Sequence, residues 1–148
     1  MKFLKYGLFG IGVLALLGVG AFVFLGMQSR NGSAPGLIEG RLSPCPTSPN
    51  CVSSETGTTE DKRVDPFPLD AWSELPGLIT ERGGEITAQD ETYVSAEFAS
   101  SLFGFVDDVE FRLTDADIHV RSASRVGHSD AGVNRARIAD LRAGLNDG

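Results

Sequence analysis

The sequence predicts an α+β fold: one N-terminal transmembrane helix, then a small domain in which a four-stranded antiparallel sheet carries two helices on one face. Three observations predict it. Residues 6–29 hold no charged side chain, residues 93–124 contain segments that alternate apolar and polar side chains, and the flanking stretches 69–82 and 133–145 repeat apolar residues at helical spacing. Of 148 residues, roughly the first thirty differ in composition from the rest, which leaves one domain of about 100 residues. The net charge of −7 becomes −10 for residues 31–148, because Lys2, Lys5 and Arg30 are the only charges before them. Nucleic acid and anionic lipid both need a basic field, so this balance excludes them as main partners.

Residues 6–27 span about 33 Å as a helix at about 1.5 Å per residue, matching a bilayer core of about 30 Å. A cleaved signal peptide is the rival reading. Its apolar region is usually about 7–15 residues, shorter than this one, and Ser33-Ala34-Pro35 is a poor cleavage site. No cysteine closes the run as a lipoprotein anchor would require. The reading is therefore a cytoplasmic stub at 1–5, a retained anchor at 6–28, a linker at 29–41 and a domain at 42–146. Lys2 and Lys5 place the stub inside by the positive-inside tendency, and so the domain in the periplasm or outside the cell. The glycines of the span are not spaced as G-x-x-x-G, so nothing indicates a specific helix dimer.

Residues 29–66 are rich in Ser, Gly, Pro, Thr and Asn, without apolar period, and read as a linker that becomes ordered. Within them lie Cys45 and Cys51, the only two cysteines. A redox pair would be C-x-x-C, and zinc would need ligands that only His119 and His128 could add. A structural disulfide fits better, on the oxidising side of the membrane.

Leu69, Trp72, Leu75 and Leu78 or Ile79 mark the first helix, which Pro76 should kink or shorten and Gly83-Gly84 should end. Strands follow at 85–88, 93–99, 105–113 and 118–124. A turn at 114–117 pairs Leu113 with Ile118, Phe111 with Val120, Val109 with Ser122 and Asp107 with Ser124. On the opposite, outer face Glu110 meets Arg121 and Arg112 meets His119. Asp107 thus falls on the apolar face, where a carboxylate needs a partner, here the Ser124 hydroxyl. The last helix, 133–145, turns Ile138, Leu141 and Leu145 to the sheet.

Three blocks now carry a resemblance: CPTSPNCVSS at 45–54, FVDDVEF at 105–111 and VRSASRVGHSDAGVNR at 120–135. In this order they resemble the domain of unknown function family 1499, over about residues 42–145. Ala131 and His128 depart slightly from its pattern. The resemblance implies a bacterial or plastid domain behind a signal or membrane segment, and no particular activity.

The densest polar run is a strand-to-helix junction that holds Arg121, Arg125, His128, Asp130, Asn134 and Arg135. As a ligand site it would bind an anion through Arg125 and Arg135. As a structural network, Arg121 would pair with Glu110, Asp130 or Ser129 would cap the last helix, and Arg125 and Arg135 would neutralise Asp107 or Asp108. A catalytic version would use His128 as base, Asp130 to orient it, and the arginines to hold an anionic substrate. No nucleophile elbow, phosphate-cradling loop or metal spacing supports that version, and no cofactor is expected. Asp107 and Asp108 point to opposite faces of a strand and cannot form an acid/base dyad. The functional expectation is a membrane-tethered module that binds or scaffolds envelope components. The alternative is a small hydrolase or transferase acting on an anionic extracytoplasmic substrate.

Overall fold

The computed structural model describes residues 2–145; Met1 of the expected stub and residue 146, the expected domain end, lie outside them. The first element, α1 (Lys2–Ser29), is a single helix long and apolar enough to cross a membrane. It is almost wholly exposed along its apolar window. A short hairpin of β1 (Leu37–Ile38) and β2 (Arg41–Leu42) follows. The main sheet contains β3 (Cys51–Ser53), β4 (Glu85–Gln89), β5 (Tyr93–Ala99), β6 (Val106–Leu113) and β7 (Ile118–Ser124). Its order is β3-β7-β6-β5-β4, antiparallel throughout. Two helices, α2 (Leu75–Glu81) and α3 (Val133–Gly144), complete the domain.

The expected sheet had four strands, and the fifth is β3, which pairs Cys51 with Ala123, Val52 with Ser122 and Ser53 with Arg121. Three residues are too few to display a period of two, and all three are buried. Only pairing with β7 makes them a strand. The register of β6 against β7 is the one the alternation predicts, from Asp107 opposite Ser124 to Leu113 opposite Ile118. The expected helix at 69–82 is divided. A 3-10 turn at Leu69–Ser73 precedes α2, and Pro76 sits in the first turn of α2, where its missing N–H has no intrahelical acceptor to lose. Gly83, at φ +84°, ends the helix in the left-handed region, and Gly84 donates to the Ile79 carbonyl at 2.8 Å. A Cβ on Gly84 would lie 2.6 Å from the Phe98 ring, so no larger residue fits there.

The core lies between the helices and one face of the sheet: Leu75 and Ile79 from α2, Ile138 and Leu141 from α3, and Val94, Val109, Phe111, Ile118 and Val120 from the strands. Phe67, arriving from the loop before α2, meets Phe111 edge-on at 5.5 Å between centroids. Full burial of each such side chain contributes about 1.5–3 kcal/mol.

The second face is covered as well. Asp108 and Glu110 of β6, expected to face outward, are 4% and 0% exposed. The covering segment is the chain between α1 and β3. It lays the Gly36 N–H on Glu110 at 2.9 Å and the Leu42 N–H on Glu55 at 3.1 Å.

Candidate functional site

The junction residues divide between the two faces of the sheet. Arg121 and Arg125 belong to the covered, charged face. Arg121 donates to Glu110 at 3.0 Å. Glu110 also accepts from the Tyr93 hydroxyl at 2.8 Å. Burial, and then this bond to the Glu110 carboxylate, push the Tyr93 hydroxyl well above the ordinary phenol range. Arg125 clamps Asp108 with two bonds, 2.8 Å from Nε and 2.6 Å from a terminal nitrogen, pairs with Glu97, and donates to the Ser29 carbonyl at 3.1 Å. Asp108 and then Glu97 hold this guanidinium charged far beyond its ordinary range.

A third group on this face centres on Glu55, bonded by Arg112 at 2.9 Å and Arg41 at 2.9 Å. Burial pushes the Glu55 carboxyl up, but bonds from Arg112, the Leu42 N–H and Arg41 outweigh it and hold the carboxyl below its ordinary value. Beneath the covering segment the neighbouring carboxylates Glu97 of β5 and Asp108 of β6 therefore share Arg125, and Glu110 of β6 meets Arg121 of β7. Each buried carboxylate has a cation, which is the condition for tolerating its desolvation.

On the helical side, Asp130 accepts from the Gly132 N–H at 3.1 Å and the Asn134 N–H at 2.8 Å, satisfying donors at the start of α3. Burial raises the Asp130 carboxyl, and the Asn134 and Gly132 bonds bring it down further. Asn134 is fully buried. It accepts from the Ser122 hydroxyl at 2.5 Å and donates to the Ser124 hydroxyl at 3.0 Å and to the Asn50 carbonyl at 3.2 Å. One side chain thereby ties α3, β7 and the disulfide loop together. Cys45 and Cys51 are bonded, with Cα atoms 5.6 Å apart.

Asp107 is 8% exposed and takes its partner from α3: Arg137 bonds it at 2.6 Å and lies 4.8 Å over the Phe98 ring. The Ser124 hydroxyl expected for it is engaged by Asn134 instead. A charged donor wins because a guanidinium compensates a buried carboxylate far better than a hydroxyl does.

His128 is exposed and has no hydrogen bond or ion pair among the described residues, and Asp130 is turned from it toward the helix. Arg135 is exposed and donates to the carbonyls of Arg63 at 2.9 Å and Asp61 at 2.6 Å. It lines an open depression of about 610 Å³ with Arg63, Ile138 and Arg142, and with the carboxylates Glu60 and Asp65. It also borders a smaller one, about 280 Å³, beside the disulfide loop, with Lys62 and Ser129. Lys62, Arg63 and Arg135 donate to backbone carbonyls, and no carboxylate of the described residues forms an ion pair with them. The six residues of the junction thus form no single cleft. Among the described residues no group of three or more His, Cys, Asp or Glu side chains is placed to hold a metal ion.

Sequence reasoning passed over Glu55, Glu97 and Arg63, and it left Arg137 available for solvent or partners, whereas Arg137 is bound to Asp107. For Glu97 a signal existed: in register it lies beside Asp108, one strand from Arg125. Arg63 and Glu55 sit in aperiodic segments, where no pattern marks them.

The class defined by this geometry is a small α+β domain with an ion-paired layer on one sheet face, carried behind one apolar helix. Residues 41–145 match the family described as protein of unknown function (DUF1499), and the chain belongs to that family. No curated protein and no solved structure matches it.

Proposed function

We propose that the chain is a single-pass membrane protein whose α+β domain stands outside the cytoplasm and binds an anionic envelope component at the α3 edge. The observation that carries this reading is the division of the cations. Arg41, Arg112, Arg121, Arg125 and Arg137 are committed to carboxylates, whereas among the described residues Arg63 and Arg135 donate hydrogen bonds only to backbone carbonyls and line an open depression. Guanidinium groups whose hydrogen bonds go only to backbone carbonyls keep their capacity for an anion, in competition with the Glu60 and Asp65 carboxylates that line the same depression.

Retention of α1 is supported by its last turn. Ser29 is buried, and its hydroxyl accepts the Val106 N–H at 3.1 Å, so cleavage near Pro35 would remove part of the domain's own packing. The catalytic alternative needs His128 oriented by Asp130, and that pair is not formed.

Complementation of a deletion strain, with melting curves of the same variants, tests the reading. Arg135→Gln should melt like the parent and lose the phenotype, and His128→Ala should keep both. Full complementation by Arg135→Gln would remove the α3 edge as the binding surface. Loss of function in a stable His128→Ala would favour the enzyme.

A further inference from the structure

We propose that residues 100–105, the tip of the β5–β6 hairpin, form a second membrane contact, seated in the bilayer interface beside the end of α1. This inference rests on the reading of α1 as a retained membrane span.

The helix itself sets the depth. Its candidate span, Phe9–Ser29, has 21 residues, about 30 Å at about 1.5 Å each, which fills a hydrocarbon core. Phe22 lies seven residues before Ser29, roughly 10 Å along the axis toward the other side of the membrane. Phe103 stacks on Phe22 with ring centroids 5.4 Å apart, and Phe105 meets Phe22 edge-on at 6.3 Å. The hairpin tip therefore runs back along the helix to a level below the point where the helix leaves the bilayer.

Contacts at four positions of α1 and its continuation fix that path. They are Phe22, Gly26, Ser29 and Arg30, whose spacing puts them on one helical face. A Cβ on Gly26 would lie 2.1 Å from the Phe103 carbonyl oxygen, so the hairpin backbone rests directly on the helix at its glycine. Ser29 accepts the Val106 N–H, and Arg30 Nε donates to the Gly104 carbonyl at 3.4 Å.

The chemistry of the tip suits that level. No charge occurs between Glu97 and Asp107 in a domain that is otherwise strongly acidic. Leu102 is 79% exposed, the highest value among the large apolar residues whose exposure is described. In water that side chain stays exposed; in the interface it is buried. The tip closes much of its own backbone: Ser100 N–H to the Phe105 carbonyl at 2.8 Å, Gly104 N–H to the Ser100 carbonyl at 3.0 Å, and Phe105 N–H to the Ser100 hydroxyl at 2.9 Å. Fewer polar groups then need water where water is scarce. Arg30, at the end of the span, has the length to reach lipid phosphates while its stem stays on apolar surface. Two adjacent contacts, helix and hairpin, hold the domain at a set orientation to the bilayer instead of leaving it on a swinging tether.

The test uses the full chain in liposomes made with acyl-chain-brominated lipid. No free cysteine is present, so Leu102→Cys and Asp115→Cys each accept one environment-sensitive fluorophore, the second at the β6–β7 turn on the opposite end of the sheet. The label at 102 should lose most of its emission to the brominated lipid, and the label at 115 almost none. Equal, weak quenching at both sites in chains that float with the liposomes would overturn the hairpin contact and leave the membrane span standing. Chains that do not float would overturn both.

Discussion

Replacing Arg125 by glutamine tests the covered charged face most directly. The guanidinium side chain is 6% exposed and that of Asp108 5%. Arg125 also joins β6 to β5 through Glu97 and to the last residue of α1 through the Ser29 carbonyl. Its removal leaves the Asp108 carboxylate buried beside a neutral amide that cannot reproduce the two-pronged bond. Breaking a buried pair from one side costs about 3–5 kcal/mol. For a domain of this size each kcal/mol lowers Tm by about 4–8 °C, so the melt should fall by more than about 10 °C. The assay is thermal unfolding of the full chain in detergent micelles, followed by near-ultraviolet circular dichroism. Asp108→Asn on the same background should restore part of the loss, because the stranded charge is then gone. A loss below about 1 kcal/mol, the range of solvent-exposed pairs, would refute the reasoning and mean that water reaches Arg125.

Removing the Cys45–Cys51 bond by paired serine substitutions should cost only about 2 kcal/mol, since the ring it closes is short; hydrogen exchange should accelerate first at Val52 and Ser53 of β3, with the β5–β7 strands unchanged. Acid stability should carry the mark of Glu55 and Asp130. Both have folded-state values below their ordinary ones, so the folded state binds fewer protons. Their contribution is complete above the ordinary value of 4.5 for Glu55 and is lost as the pH falls through the lower folded value; Glu55→Gln should flatten the fall of Tm below that pH in a pH series of melts. Alkaline phosphatase fused after Gly148 should be active in cells, and mass spectrometry should find residues 6–27 attached in the membrane fraction. An inactive fusion would reverse the orientation.

The apolar run, the alternation of β5–β7 and the helical spacing at α3 were legible because each signal is local: a side chain's face follows from its position within one element. Register was legible for the same reason, since a one-residue slip would have turned Phe111 and Val120 out of the core. The strand β3 was not, because a three-residue segment has no period and becomes a strand only by pairing with β7.

By itself, then, the sequence determined the α+β class, the membrane-length helix, the β6–β7 register and the Arg121–Glu110 pair. Tertiary structure alone decided that the charged face of the sheet is covered. It also decided that Asp107 is met by Arg137 from α3 and that the junction arginines point to different sides of the domain. Alternation of apolar and polar side chains marks a second face but not what lies over it. The covering segment, residues 30–50, is held in part through single backbone N–H groups at Gly36 and Leu42. Every non-proline residue carries such a donor, so no residue type announces which of them will find a buried carboxylate.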